Sequence, residues 1–115
     1  MSRVHVHFVK EKEFGAQVVY RVDSSDFSAT KGEEPIARIT INRQEKSYDF
    51  EALGQLSREK VVPPHVYDLP ESECDRVLGE RYEGFGYGGW TARMADVVRR
   101  LLASGDFPEE TYGIT

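Results

Sequence analysis

Cysteine is nearly absent from this chain, with Cys74 the sole example among 115 residues. One thiol closes no intrachain disulfide, so the composition excludes a small disulfide-stapled secreted scaffold and points to a reducing, cytoplasmic setting. Missing too is any apolar run near membrane-spanning length, which excludes a hydrophobic transmembrane helix and leaves no membrane partner to expect. The opening residues, Met1-Ser2-Arg3-Val4-His5-Val6-His7-Phe8, alternate in polarity and lack the continuous apolar stretch of a signal peptide. Basic charge is in short supply, with 15 Lys and Arg against 20 Asp and Glu and a formal net charge of -5. The whole deficit falls after residue 60, where 5 basic residues face 10 acidic ones. A negative surface repels nucleic-acid backbone and anionic lipid, so neither is an expected nonspecific partner. No Gly-x-Ser-x-Gly elbow, no His-Glu-x-x-His pair and no phosphate loop ending in Lys-Ser/Thr occurs, which removes the commonest nucleophile, zinc and nucleotide signatures.

What the chain does contain is regular alternation in its first half. Val4, Val6 and Phe8 alternate with His5 and His7, and Ala16, Val18, Tyr20 and Val22 alternate with Gln17, Val19 and Arg21. A period of two is that of a sheet with one buried face. The charged stretch Lys10 to Gly15 reads as the connection of a hairpin. A second hairpin follows, with Ala37, Ile39 and Ile41 returning through Asn42 to Lys46 into Tyr48 and Phe50. Short connections favour antiparallel pairing, because a parallel pair needs a long crossover. Between the hairpins, Asp23 to Pro35 reads as a long connection or a short extra edge strand around Phe27.

The period then changes. Ser72 and Asp75 form a capping-box pattern after Pro70, and Cys74, Val77, Leu78 and Tyr82 mark one helical face, predicting a helix over 72–82. Thr91 is the expected N-cap of a last helix whose stripe is Met94, Val97, Val98, Leu101 and Leu102, ended by Gly105 and Pro108. Asp96 and Arg100 sit at the favourable i, i+4 spacing, and Arg99 and Arg100 are expected in the last turn. Residues 53–69, with Pro63-Pro64, read as extended, with at most one short helical turn around 52–57. The expected architecture is a single α+β domain over 1–115: an antiparallel four-stranded sheet of two hairpins with two C-terminal helices packed on one face. Its expected core is Val4, Val6, Phe8, Ile39, Ile41, Tyr48, Phe50, Val97, Val98, Leu101 and Leu102.

One segment stands out chemically. Gly84-Phe85-Gly86-Tyr87-Gly88-Gly89-Trp90 combines four glycines with three large aromatics just before the last helix. Three functional readings attach to it. In the leading one, Phe85, Tyr87 and Trp90 are rigid anchors of a non-catalytic protein-interaction or regulatory domain, whose acidity favours a basic protein partner. In the second, the chain is a small enzyme or an anion- or nucleotide-binding domain that uses the loop amides and Arg93, with His5, His7 or His65 as acid or base. In the third, the rings stack on single-stranded RNA. Gly84-Phe85-Gly86-Tyr87 resembles the aromatic consensus of RNA recognition motif domains, with Glu83 at its basic position and Gly88 at its valine. The architectural reading beside these is that the glycines make turns while Tyr87 and Trp90 cover the edge of a small core.

Gly84, Gly86 and Gly89 also spell G-x-G-x-x-G, but the residues before Gly84 are helical in pattern, whereas that fingerprint follows a buried parallel strand. His5 and His7 share a strand face without a third ligand in the local pattern, so no metal and no cofactor is assigned. Cys74 reads as a small buried hydrophobe of its helix, and Glu71, Glu73, Asp75, Glu80 and Glu83 as a solvated face.

Overall fold

The alternation seen in the sequence produces strands, but one more than four. A computed structural model describes residues 5–24 and 35–114. Its strands are β1 (His5–Phe14), β2 (Gln17–Asp23), β3 (Ala37–Asn42), β4 (Ser47–Ala52) and β5 (Glu110–Ile114). All pair antiparallel in the order β4-β3-β2-β1-β5. The two expected hairpins, β1/β2 and β3/β4, are joined edge to edge by the β2–β3 pair, and the C-terminal tail returns to add β5 beside β1. The charged stretch after Lys10 is not a connection. β1 continues through it to Phe14, with a bulge between Lys10 and Lys12, and turns only at Gly15, whose φ of 57° suits a residue without a Cβ. The β3/β4 turn is held by Asn42, whose Oδ1 accepts the amides of Gln44 and Glu45, each at 3.0 Å. Phe27 and Val4 lie outside the described residues.

Two α-helices follow, α1 (Glu71–Arg81) and α2 (Gly88–Ser104), preceded by two 3-10 turns at Gly54–Arg58 and Pro64–Asp68 where an extended run with at most one turn was expected. One face of the sheet carries Val6, Phe8, Val18, Tyr20, Val22, Ala37, Ile39 and Ile41, all fully buried. Met94, Val97, Val98 and Leu101 of α2 close over that face with Leu56, while Tyr48, Phe50 and Leu102 are half-buried at its margin. Each fully buried aliphatic side chain contributes roughly 1.5–3 kcal/mol of transfer free energy, so this layer carries the stability.

Among the described residues, α2 is the one helix that roofs the sheet. It packs on β1 and β5, whereas α1 packs on the Pro64–Asp68 turn and buries no residue completely, so the expected pair of helices on one face is corrected to one. The reason lies in composition: the α1 stripe is four residues wide at most and flanked by charge, too small a face to displace water from a sheet. Its start also differs. The helix begins at Glu71 after Pro70, which puts Ser72 inside the first turn without a side-chain capping bond. Gly113 is where α2 and β5 come closest. A Cβ there would lie 2.7 Å from Val97 Cγ2 and 2.9 Å from Val6 Cγ2, so only glycine lets the strand slide under the helix.

Candidate functional site

The glycine-aromatic segment is pinned from both sides by main-chain bonds. The Phe85 amide donates to the Tyr82 carbonyl at 3.0 Å, closing the turn that Gly84 makes at φ 84°. The Gly86 amide donates to Lys60 O at 2.7 Å and Gly86 O accepts the Val62 amide at 3.1 Å, a short parallel bridge to Val61. After it, Tyr87 adopts the left-handed conformation, φ 64° and ψ 21°, and serves as the N-cap of α2. The helix therefore starts one turn before the expected Thr91. Gly88, Gly89 and Trp90 are its first turn rather than a loop, and Thr91 is fully buried with its amide on Tyr87 O at 3.2 Å.

The aromatics gather in two pairs. Tyr82 meets Phe85 edge to face at 5.3 Å between centroids, and Tyr87 meets Trp90 at 5.7 Å with planes tilted by 52°. Lys60 Nζ lies over the Phe85 ring, 5.8 Å from its centre, close enough for a cation–π contact. Phe85, Tyr87 and Trp90 are all half-buried, and Tyr87 and Trp90 pack against the core. Each ring thus has one side on protein and part of its surface in solvent.

The fourth predicted site residue, Arg93, faces another way. Its Nη1 pairs with Asp96 Oδ2 at 3.0 Å, and its Nε is buried without a hydrogen-bond partner. Asp96 also pairs with Arg99, which in turn binds Asp68 Oδ1 at 2.6 Å and the Tyr67 carbonyl at 3.1 Å. Asp68 accepts the Tyr48 hydroxyl at 2.7 Å, and burial together with that bond pushes the Tyr48 phenol far up. A polar ladder from Arg93 to Tyr48 ties α2 to the Pro64–Asp68 turn, and sequence spacing did not show it because its members are spread over half the chain. Asp96 does not pair with Arg100 as expected. Arg100 reaches β5 instead, donating to Thr111 Oγ1 at 3.1 Å and Tyr112 O at 2.7 Å. At the start of α2, the Tyr67 hydroxyl sits against Gly88 so tightly that any side chain there would strike it, and burial raises that phenol as well.

The remaining candidates are dispersed. His7 Nε2 lies 3.0 Å from Glu110 Oε1 and its ring stacks on Tyr112 at 4.3 Å, across the β1–β5 seam. His65 stacks on Tyr48 at 4.2 Å and its Nε2 donates to the Tyr48 carbonyl at 2.8 Å. Among the described residues, no three His, Cys, Asp or Glu side chains converge as metal ligands. Cys74 is half-buried rather than buried, and desolvation, with Asp75 and Glu71 nearby, pushes its thiol up, away from a nucleophile's range. The five carboxylates Glu71, Glu73, Asp75, Glu80 and Glu83 are exposed, as a solvated face requires.

Sequence reading did not single out the sheet's other face. It holds an open groove of about 470 Å³, with Lys12, Phe14, Val19 and Arg38 in its walls. Val19 shares that face with Gln17 and Arg21, as its alternation implies, yet is only 4% exposed between Lys12 and Thr40 of the adjacent strands. Among the described residues, no helix is long and apolar enough to cross a membrane. No protein-family model matches the chain, and no curated protein or solved structure matches it.

Proposed function

We propose that this chain is a non-catalytic interaction domain, working in the cytoplasm, that binds a basic region of another protein through Phe85, Tyr87 and Trp90. The observation that carries this reading is the backbone of Tyr87. Left-handed geometry costs a bulky L-residue about 1–2 kcal/mol, and it is a position where glycine fits without strain. Glycines stand on both sides of it, yet the strained position itself holds a tyrosine. The conformation keeps the ring beside Trp90, half in solvent, which is how a rigid aromatic anchor is presented. The exposed carboxylate of Glu83, two residues before Phe85 in the chain, favours a cationic partner.

The test compares Tyr87→Gly and Trp90→Ala with wild type in affinity enrichment from cells, with Glu45→Ala on the β3/β4 turn as the control. Tyr87→Gly relieves the backbone strain, so its fold is expected to survive by circular dichroism while partner recovery drops about tenfold or more, as for an interface hot spot. Full recovery of every partner by both folded variants would remove the support for this reading.

A further inference from the structure

The outer edge of β4 is a second surface that uses none of residues 84–93. β3 directs the main-chain groups of Ala37, Ile39 and Ile41 to β2 and those of Arg38, Thr40 and Asn42 to β4, in step with the flanking bonds Arg43 N to Ala16 O at 2.8 Å and Leu53 N to Ile36 O at 3.0 Å. Bonding sides alternate along an antiparallel strand, so the amides and carbonyls of Tyr48, Phe50 and Ala52 point away from the sheet. The Tyr48 carbonyl is taken by His65 at 2.8 Å. At the sheet's opposite margin the Tyr112 carbonyl is taken by Arg100 at 2.7 Å. Among the described residues, Phe50 and Ala52 have no such cover.

Open edges template another strand, and proteins blunt those they do not use. The side chains here decide which strand fits. Asp49 and Glu51 flank Phe50 on the solvent face of β4, both exposed. A second copy of β4 paired antiparallel about Phe50 would set Asp49 against Glu51 twice, and like charges directly opposed are destabilising. Self-pairing is disfavoured by charge, whereas a cationic strand is favoured. Glu11, Arg38 and Glu51 already alternate in sign across the sheet, through bonds of 3.0 and 3.2 Å, and a cation beyond Glu51 extends that series. Asp49 forms no salt bridge among the described residues, so none of them supplies it with a cation.

We propose that the Phe50–Ala52 edge of β4 captures an extended segment of a partner protein with Lys or Arg at alternate positions. The segment adds as a sixth strand by main-chain hydrogen bonds, its cations over Asp49 and Glu51 and an apolar residue between them beside Phe50.

The probe is an end-capped Lys-Val-Lys-Val-Lys peptide titrated into the full chain and followed by amide hydrogen exchange and two-dimensional NMR. Binding is expected to slow exchange at the Phe50 and Ala52 amides and leave Tyr112 unchanged. N-methylating the peptide at the amides that face β4 keeps its charge but removes the main-chain bonds, and should weaken binding about tenfold or more. Asp49→Asn with Glu51→Gln leaves the edge backbone intact and should weaken the unmodified peptide while flattening its salt dependence. Equal affinity for the N-methylated peptide, protection absent from Phe50 and Ala52, or protection of those amides by self-association in the absence of peptide would each overturn the proposal. None of these outcomes touches the aromatic site, which Tyr87→Gly tests separately.

Discussion

Placing one methyl group at position 113 tests the packing on which the whole fold depends. Gly113 lies in β5, opposite Val6, beneath α2. Two effects of Gly113→Ala compete. Alanine restricts the unfolded chain and suits an ordinary strand conformation, which alone would stabilise by about 0.4–1 kcal/mol. Against this, the new Cβ would sit 2.7 Å from Val97 Cγ2, 2.9 Å from Val6 Cγ2 and 3.4 Å from Arg93 O. Val6 and Val97 are both 0% exposed, so neither methyl can swing into solvent and the helix or the strand must shift. Such overpacking costs roughly 1–3 kcal/mol, which outweighs the entropic gain. The expected net loss is about 1–2 kcal/mol, or a fall in Tm of about 4 °C per kcal/mol, measured by urea and thermal unfolding. A double-mutant cycle makes the cause specific. Val97→Ala alone should cost about 2 kcal/mol, but in its presence Gly113→Ala should cost little, giving a coupling of about 1 kcal/mol. A neutral or stabilising Gly113→Ala, or purely additive losses, would show that β5 does not run under α2 and would refute the five-stranded arrangement.

Tyr20 is fully buried, donates its hydroxyl to Pro108 O at 2.7 Å, and is pushed up to about 12, first by burial and then by Glu13, Glu109 and Asp106. Its folded-state pKa is raised, so its contribution is fully present below the unfolded value near 10 and is lost as pH climbs from there through about 12, a decline of about 2–3 kcal/mol. Tyr20→Phe should lower stability at neutral pH by about 1 kcal/mol and make the alkaline decline shallower; a 295 nm titration in which all six tyrosines ionise near 10 would contradict this. Cys74, half-buried with its thiol pushed up, should react with iodoacetamide at pH 7.5 more slowly than a free cysteine and speed up in urea. A faster reaction in the folded protein would mark an activated thiolate instead.

The first four strands and α2 were legible because each is announced by its own neighbours. Val18, Tyr20 and Val22 alternate, Met94 to Leu101 repeat at helical spacing, and Gly105 ends α2 in the left-handed conformation that glycine permits. β5 was not legible: Glu110–Ile114 is short, interrupted by Gly113, and becomes a strand only because β1, a hundred residues earlier, offers it an edge. Nor was the left-handed Tyr87, whose ring adopts it to reach Trp90 and the core while its neighbours supply the glycines. The bulge between Lys10 and Lys12 hid the continuation of β1 by breaking the alternation that marks a strand.

By itself, then, the amino-acid order determined that the first four ribbons and the two rods form, since backbone preference and side-chain period act over a few residues. Tertiary structure alone decided which edges meet, that one rod rather than two covers the sheet, and that the main-chain groups of Phe50 and Ala52 are left facing outward. Those outcomes depend on which apolar faces are large enough to exclude water from each other and on contacts between residues far apart in the chain, and no local window of sequence contains that information.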